Sequence, residues 1–531
     1  METQGRATVA KAAGLLMAST ILSRILGYLR DILIAAAYGQ TRITDAYHAA
    51  FSIPDFLYSL LAAGTVTAAF IPVFSGYVAT DRQDEAWEVA NSVFHITVAA
   101  MLCGIAAAAL LAPHIVANWL VPGFAPEHMG LTVAMTRVML VQAFFMALNG
   151  ISMGILNSYQ RFLEPAVASV VYNVMIILCG LLLGEKLGIM GFAIGVVAGA
   201  VAQFLVQAAG LKRIGLRYEP VLHWRHPGVR RVFALMLPVF LSYALTQVGL
   251  FVQQNIASSL PDGHLSSLRW AQRLMQMPVS IFAVTMAVAL FPTLTGQAAR
   301  GETKAFKSSF VFGLRCVFYV TVPCAVGLAV LRQPVVRLLY ERGNFSPEDT
   351  ALTAYTLAFF CLGLFAQGGS LLMNRVFYAL QNTWTPVAVG AGTMVLNISL
   401  NYLLIGPLGT GGLALAFSLA GMLSLGLLLV MARRKIGPLG GRKLLASFGK
   451  TLALSSAMGV AAYAVSALCG LYLVDMQTKV GQLVQVGAAA GTGIALYFGL
   501  SAALKMEEAD MVRRMLQRGR GRAARPTNQN E

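Results

Sequence analysis

Phe70-Ile71-Pro72-Val73-Phe74-Ser75-Gly76 is answered about 220 residues later by Leu290-Phe291-Pro292-Thr293-Leu294-Thr295-Gly296. The pairing is not isolated. Phe124-Ala125-Pro126-Glu127 returns as Phe345-Ser346-Pro347-Glu348, Gln160 with Pro165 as Gln381 with Pro386, and Gly191-Phe192-Ala193 as Gly412-Leu413-Ala414. Each copy closes on a basic stop, Lys212 to Gly215 and Arg434 to Gly437. Ordered matches at nearly constant spacing mark an internal duplication, with copies at residues 1–215 and 225–437.

The 531 residues are 57% hydrophobic and 11% charged, whereas soluble domains carry about a quarter charged residues. Apolar stretches of about 20 residues recur along most of the chain, the length that crosses a bilayer as a helix. We count about fourteen, among them 10–37, 44–78, 231–259 and 266–298, which predicts an all-α polytopic membrane protein. Six spans fall in each copy. Because six is even, both copies begin and end on the same side and are parallel repeats, with a substrate site expected between two lobes. Two further spans, 446–472 and 481–504, stand outside the repeat, and 506–531 reads as a basic tail that passes from a surface helix into disorder.

The net charge of +17 follows topology rather than a nucleic-acid surface. Arg6, Lys11, Arg82, Arg161, the run Lys212 to Arg231, Arg300, Lys304, Lys307, the run Arg433 to Lys450 and the run Lys505 to Arg525 all fall on one side of fourteen alternating spans. The other side holds mainly Arg42, Lys186, Arg337, Arg342 and Lys479. The positive-inside rule then places both termini in the cytoplasm. The first span carries Arg24, Arg30 and Asp31 and lacks a cleavage site, so it is a retained helix and not a signal peptide. Cys103, Cys179, Cys316, Cys324, Cys361 and Cys469 sit singly in apolar stretches as core fillers. The seven histidines form no metal-ligand pattern, and only His48 lies where it could face a cavity. No metal site and no cofactor are expected.

A charge at the bilayer centre costs about 2.5–3.5 kcal/mol, so each intramembrane ionisable residue is a candidate for function. The first span carries Arg24, Arg30 and Asp31 beside Ser23; the second carries Asp45, His48, Asp55 and Tyr58; the eighth carries Arg269, Arg273 and Gln276. Arg24 and Asp31 share a helix face, as do Arg269 and Arg273. Arg30 lies about 120° from Arg24, so both reach one cavity only if it is wide or the helix bends near Gly27; Arg30 could instead pair with Asp45 or Asp55. Internal ion pairs holding helices together are the competing reading. The excess of guanidinium groups points to an anionic cargo, with phosphate or pyrophosphate the best geometric match. Asn397 and Asn401, four apart in the eleventh span, are weak candidates for Na⁺, with helix–helix hydrogen bonding as the alternative. Gly27, Pro54, Gly64, Pro278 and Pro292 interrupt helices, as bends or as static kinks.

Ser23-Arg24-Ile25-Leu26-Gly27 with Arg30-Asp31, Thr44-Asp45-Ala46, Ile53-Pro54-Asp55-Phe56-Leu57, Ala69-Phe70-Ile71-Pro72-Val73-Phe74 and Gln272-Arg273-Leu274-Met275 together resemble the MurJ (MviN) family of lipid II flippases, in the MATE-like MOP superfamily. The resemblance covers essentially the whole chain. It implies that Arg24, Arg30 and Arg273 bind the pyrophosphate-sugar headgroup, that Asp45 matters to function, and that the two extra spans form a groove for a polyprenyl tail. The chain departs from the family in the second span, where Tyr58, Ser59 and Ala63-Gly64 stand in place of an arginine and a Glu-Gly.

The expectation is therefore a monomeric flippase, not an enzyme, moving lipid II outward across the bacterial cytoplasmic membrane by alternating access, surrounded by membrane lipids and driven by membrane potential or Na⁺. An exporter of another polyprenyl-linked oligosaccharide or a MATE-like ion-coupled exporter is the alternative within transport. A polyprenyl-phosphate enzyme is the alternative from another class, although Asp31, Asp45 and Asp55 lack the spacing of a catalytic cluster.

Overall fold

The computed structural model describes residues 2–59, 70–473 and 475–509, and every regular element among them is helical. Ala63, Gly64 and the tail from 510 onward lie outside the described residues, as do the side chains of Arg6 and Lys11. Among the described residues, eleven helices are long and apolar enough to cross a membrane. The other three expected spans correspond to the first helix, to the second span and to the seventh, each of which includes residues or side chains outside the described set.

Contacts divide the chain into two compact units. The first, residues 1–266 with 342–346, contains α1 (Glu2–Tyr38), α2 (Arg42–Ala50), α3 (Ser52–Tyr58), α4 (Ile71–Ala79), α5 (Gln83–Ile115, continued by a π-helical turn Val116–Leu120), α6 (Pro126–Ser158), α7 (Leu163–Leu187), α8 (Met190–Arg213) and α9 (Pro227–Ala257). The second contains most of α10 (His264–Pro278), a π-helical turn Val279–Ala283, α11 (Val284–Ala299), α12 (Thr303–Val330), α13 (Arg332–Tyr340), α14 (Pro347–Ala379), α15 (Trp384–Leu408), α16 (Thr410–Ile436), α17 (Gly441–Leu468, continued by a π-helical turn Cys469–Leu473) and α18 (Lys479–Ala503).

The duplication is written into the backbone. α6, α7 and α8 correspond to α14, α15 and α16, with helix ends that repeat at the spacing of the sequence matches. Left-handed residues recur in the same register: Gln160 (φ 58°) with Gln381 (54°), Gly188 (58°) with Gly409 (54°), and Gly215 (79°) with Gly437 (83°). A glutamine in this region is uncommon, and finding it twice at matched positions ties the Gln-to-Pro motif to one turn used in both copies.

In the first unit, Phe70, Phe74, Trp87, Val89, Ile151 and Leu211 make one buried cluster, and Ile34, Tyr47, Met135, Met139 and Phe192 another. α9 belongs by sequence to the second copy but packs with the first unit. Hydrogen bonds draw it there: Ser52 Oγ donates to Gln254 Oε1 at 2.7 Å, and Gln247 Nε2 donates to Ser59 Oγ at 2.9 Å. Small residues set helix spacing in the second unit. Gly363 lies against Ser418, whose Oγ donates to the Phe359 carbonyl at 2.7 Å, and Gly412 faces the Leu404 carbonyl. Close backbone approach of this kind holds helices together where lipid removes any hydrophobic drive.

Candidate functional site

On α1, Arg30 pairs with its neighbour Asp31, Nη2 to Oδ1 at 3.0 Å and Nε to Oδ1 at 3.1 Å, rather than with Asp45 or Asp55. Asp31 is buried and Arg30 half-buried, so the pair fixes the guanidinium within the helix packing. Arg24 stands on a more exposed part of α1. Ser23, one residue before it, faces α7: its Oγ donates to the Ser169 carbonyl at 3.1 Å and accepts from Asn173 Nδ2 at 3.2 Å. Its observed contacts are those of a helix–helix joint.

Asp45 sits in a dense set of hydrogen bonds. Its side chain is fully buried. Its Oδ2 accepts from Gly263 N–H at 2.9 Å, and its Oδ1 accepts from Ser266 N–H at 2.7 Å and Ser266 Oγ at 2.6 Å. These amides open α10, so Asp45 caps the start of that helix from across the fold, where orphan N–H groups and the helix dipole favour a carboxylate. Arg42, one turn earlier on α2, donates from Nε to Asp262 Oδ1 at 2.8 Å and from Nη2 to the Leu260 carbonyl at 3.0 Å, and its guanidinium lies 4.6 Å from the centre of the Phe124 ring. Two more loops close in. Gly123 N–H donates to Ser258 Oγ at 3.2 Å, and Asn344 caps the end of α1, N–H to Ala36 O at 2.8 Å and Nδ2 to Ala37 O at 2.7 Å.

Glycine makes this junction possible. Gly263 has φ 79°, and a β-carbon there would lie 2.3 Å from the Gln40 carbonyl oxygen; at Gly343, φ 58°, it would meet the Ala36 oxygen at 2.3 Å. Residues 36–45, 121–124, 258–266 and 342–346 all sit on the base-poor side read from the sequence. Composition and charge did not expose this junction, because two of the three donors to Asp45 are backbone amides. The trace left in the sequence is the turn Pro261-Asp262-Gly263.

The remaining second-span candidates are more modest. Asp55 is exposed, and Tyr58 packs partly against Met101, Ala143 and Ala147. His48 meets Tyr47 edge-on at 5.7 Å, and no cluster of three or more His, Cys, Asp or Glu among the described residues could hold a metal ion. In the second unit, α10 is divided lengthwise. Leu268, Trp270, Ala271, Leu274 and Met275 are buried, with Trp270 stacked on Tyr340 at 5.6 Å. Arg269, Gln272, Arg273 and Gln276 form the less buried stripe. Pro278 then leads into the π-helical turn Val279–Ala283, at one of the positions where the sequence predicts an interrupted helix. On α15, Asn401 Nδ2 donates to Asn397 Oδ1 at 3.2 Å, a bond within one helix rather than between two.

The family model described as lipid II flippase MurJ matches residues 34–480. The chain belongs to the MurJ family. A lipid II flippase MurJ of Burkholderia cenocepacia is 31% identical over 428 residues, covering 79% of this chain and 82% of the relative. A probable lipid II flippase MurJ of Rhizobium meliloti is 30% identical over 518 residues, covering 94% and 95%. A solved lipid II flippase MurJ in an inward closed conformation aligns with TM-score 0.76 and 26% identity over 92% of this chain and 99% of that one. An inward-facing multidrug MATE transporter of the MOP superfamily, 16% identical with TM-score 0.66, shares the fold. As a MurJ family member the protein is a multi-pass membrane protein.

Proposed function

We propose that this protein moves lipid II from the inner to the outer leaflet of the bacterial cytoplasmic membrane, with both termini in the cytoplasm and no chemical conversion of the lipid. The observation that carries the reading is the guanidinium pattern of a MurJ family chain: Arg24 and Arg30 on α1, and the Arg269–Arg273 stripe on α10. Such groups are costly in hydrocarbon and suited to bidentate contact with a pyrophosphate. Arg30 enters already oriented by Asp31, and α10 presents Arg273 on a stripe whose opposite face is anchored by Trp270. Alternating access requires a junction that holds in one state and releases in another, and the Asp45 and Arg42 contacts with residues 258–266 suit that role. α17 and α18 are proposed to support the polyprenyl tail.

Outward movement of the anionic headgroup gains about 2.3 kcal/mol per charge per 100 mV in an inside-negative membrane. Membrane potential is therefore the proposed drive. Asn397 Oδ1 already accepts from Asn401 Nδ2 within α15, so one of the two side-chain oxygens that a Na⁺ would take is engaged. The test is replacement of Arg24 or Arg273 by Ala in cells depleted of their own flippase, scoring growth and the lipid II exposed outside. Both variants are expected to fail in both readouts while remaining in the membrane; normal growth and exposure in both would overturn the assignment. Failure to expose a different polyprenyl-linked sugar, with lipid II unaffected, would transfer the reading to that cargo.

A further inference from the structure

The second unit holds a cleft of about 720 Å³ between the start of α12, the Pro438–Gly440 link, the start of α17 and the residues that follow α18. All of these segments lie on the base-rich side read from the sequence. Lys307, Arg315, Lys443, Lys450 and Lys505 line it, against two carboxylates, Glu507 and Glu508. Arg315 engages both acids: Nε to Glu508 Oε1 at 2.7 Å and Nη1 to Glu507 Oε2 at 2.9 Å. The four lysines have no ion pair among the described residues, so the cleft keeps a surplus of positive charge. The first turn of α17 opens beside them, with Gly440 at its N-cap and no side-chain cap, which adds the favourable end of a helix dipole.

A second feature narrows the ligand. Glu508 is buried to 1% exposure, and its Oε1 is held by Arg315 and by Ser447 Oγ at 2.6 Å. Its Oε2, buried with the rest of a side chain that lines the cleft, has no hydrogen-bond partner among the described residues. A buried carboxylate oxygen left open calls for a donor. Phe312, Val311 and the half-exposed Leu504 supply apolar wall beside the polar groups.

We propose that this cleft binds the headgroup of an anionic glycerophospholipid of the phosphatidylglycerol class. The lysines and the α17 N-terminus take the phosphate, a glycerol hydroxyl donates to Glu508 Oε2, and the acyl chains leave along the apolar wall. Basic pockets between membrane helices are suited to anionic headgroups. A zwitterionic ethanolamine headgroup would bring its ammonium among four lysines. None of the arginines of α1 and α10 lines the cleft, and its existence does not depend on the cargo proposed above.

The test uses the full-length protein in detergent, titrated with phosphatidylglycerol, phosphatidic acid, phosphatidylethanolamine or inorganic phosphate and read by native mass spectrometry. Wild type is expected to retain phosphatidylglycerol at least about tenfold more tightly than phosphatidylethanolamine. The combined Lys307→Gln, Lys443→Gln, Lys450→Gln variant is expected to lose about tenfold in that affinity, whereas a charge-matched triple variant at Arg213, Arg230 and Arg231 is expected to keep it. Glu508→Gln is expected to weaken phosphatidylglycerol but not phosphatidic acid, which has no headgroup hydroxyl to donate. If Glu508→Gln lowers folded yield, the lysine variants, whose side chains lie at the surface or half-buried, carry the decision. Equal retention of the ethanolamine lipid, unchanged affinity in the lysine variant, or displacement by inorganic phosphate at equal concentration would each overturn the proposal, the last in favour of a soluble anion.

Discussion

At the scale of single residues, Asp45 and Gly263 carry the clearest energetic consequences. Removing the carboxylate leaves the Gly263 and Ser266 amides buried without acceptors, at about 1–3 kcal/mol for each unsatisfied group. Asp45→Ala is therefore expected to lower the unfolding temperature by several degrees and to fail complementation, with Asp45→Asn intermediate because one oxygen remains. An unchanged melting curve for the purified Ala variant would remove Asp45 from the junction's stability. Gly263→Ala is expected to act in the same direction, since it combines a left-handed backbone with a 2.3 Å approach to the Gln40 oxygen. These two residues also mark what the sequence could carry. An acid inside a membrane span announces itself by its cost, and Asp45 was legible as important for that reason. Its partners were not, because backbone amides more than 200 residues away have no side-chain signature.

At the scale of helices, the duplicated motifs anticipate where elements end: the Gln160 and Gln381 turns and the Gly188 and Gly409 breaks fall where the copies align. Single helices were harder to read where a span is interrupted, since α2 gives way to α3 at Phe51 and the eighth span carries a π-helical turn after Pro278. Apolar content runs on unchanged through such positions while the hydrogen-bond pattern changes. Packing between α15 and α16 gives a direct test. A β-carbon at Gly412 would lie 2.2 Å from the Leu404 carbonyl oxygen, so Gly412→Ala is expected to cost about 1–3 kcal/mol by overpacking. Gly390→Ala, with nothing within 4 Å, is expected to be neutral or slightly stabilising; equal effects in thermal unfolding would refute the contact. The end of α18 is tied down by charge. Burial pushes the Glu508 carboxyl up, but hydrogen bonds from Ser447 and Arg315 outweigh it and hold the group below its ordinary range. Its stabilising contribution is thus complete at neutral pH and is lost as pH falls through the carboxylate range. Wild type and Glu508→Gln should differ in unfolding temperature near pH 7 and converge only as the pH falls below the ordinary carboxylate range.

At the scale of the whole chain, topology and folding make one consistent set of demands. Segments that meet in the first unit's junction, residues 36–45, 121–124, 258–266 and 342–346, follow odd-numbered spans, the last of them after the short α13 that succeeds the ninth, so fourteen crossings put all of them on one side. Segments lining the α12–α17–α18 cleft follow even-numbered spans and share the other. A wrong crossing count would have separated residues that are in hydrogen-bonding contact, such as Asp45 and Ser266, by the thickness of the bilayer. The positive-inside rule then predicts the direction, with the base-rich loops in the cytoplasm. Fusions of alkaline phosphatase, active only outside the cytoplasm, check this directly. Fusions after Gly188, Gly343 and Asp475 are expected to be active, and those after Arg82, Gly215, Gly301 and Gly440 inactive. Inverted activity throughout would reverse the orientation while preserving the fold; activity that changes sign part-way along the chain would break the two-copy arrangement itself, since parallel repeats demand that Gly188 and Gly409, or Gly215 and Gly437, report the same side.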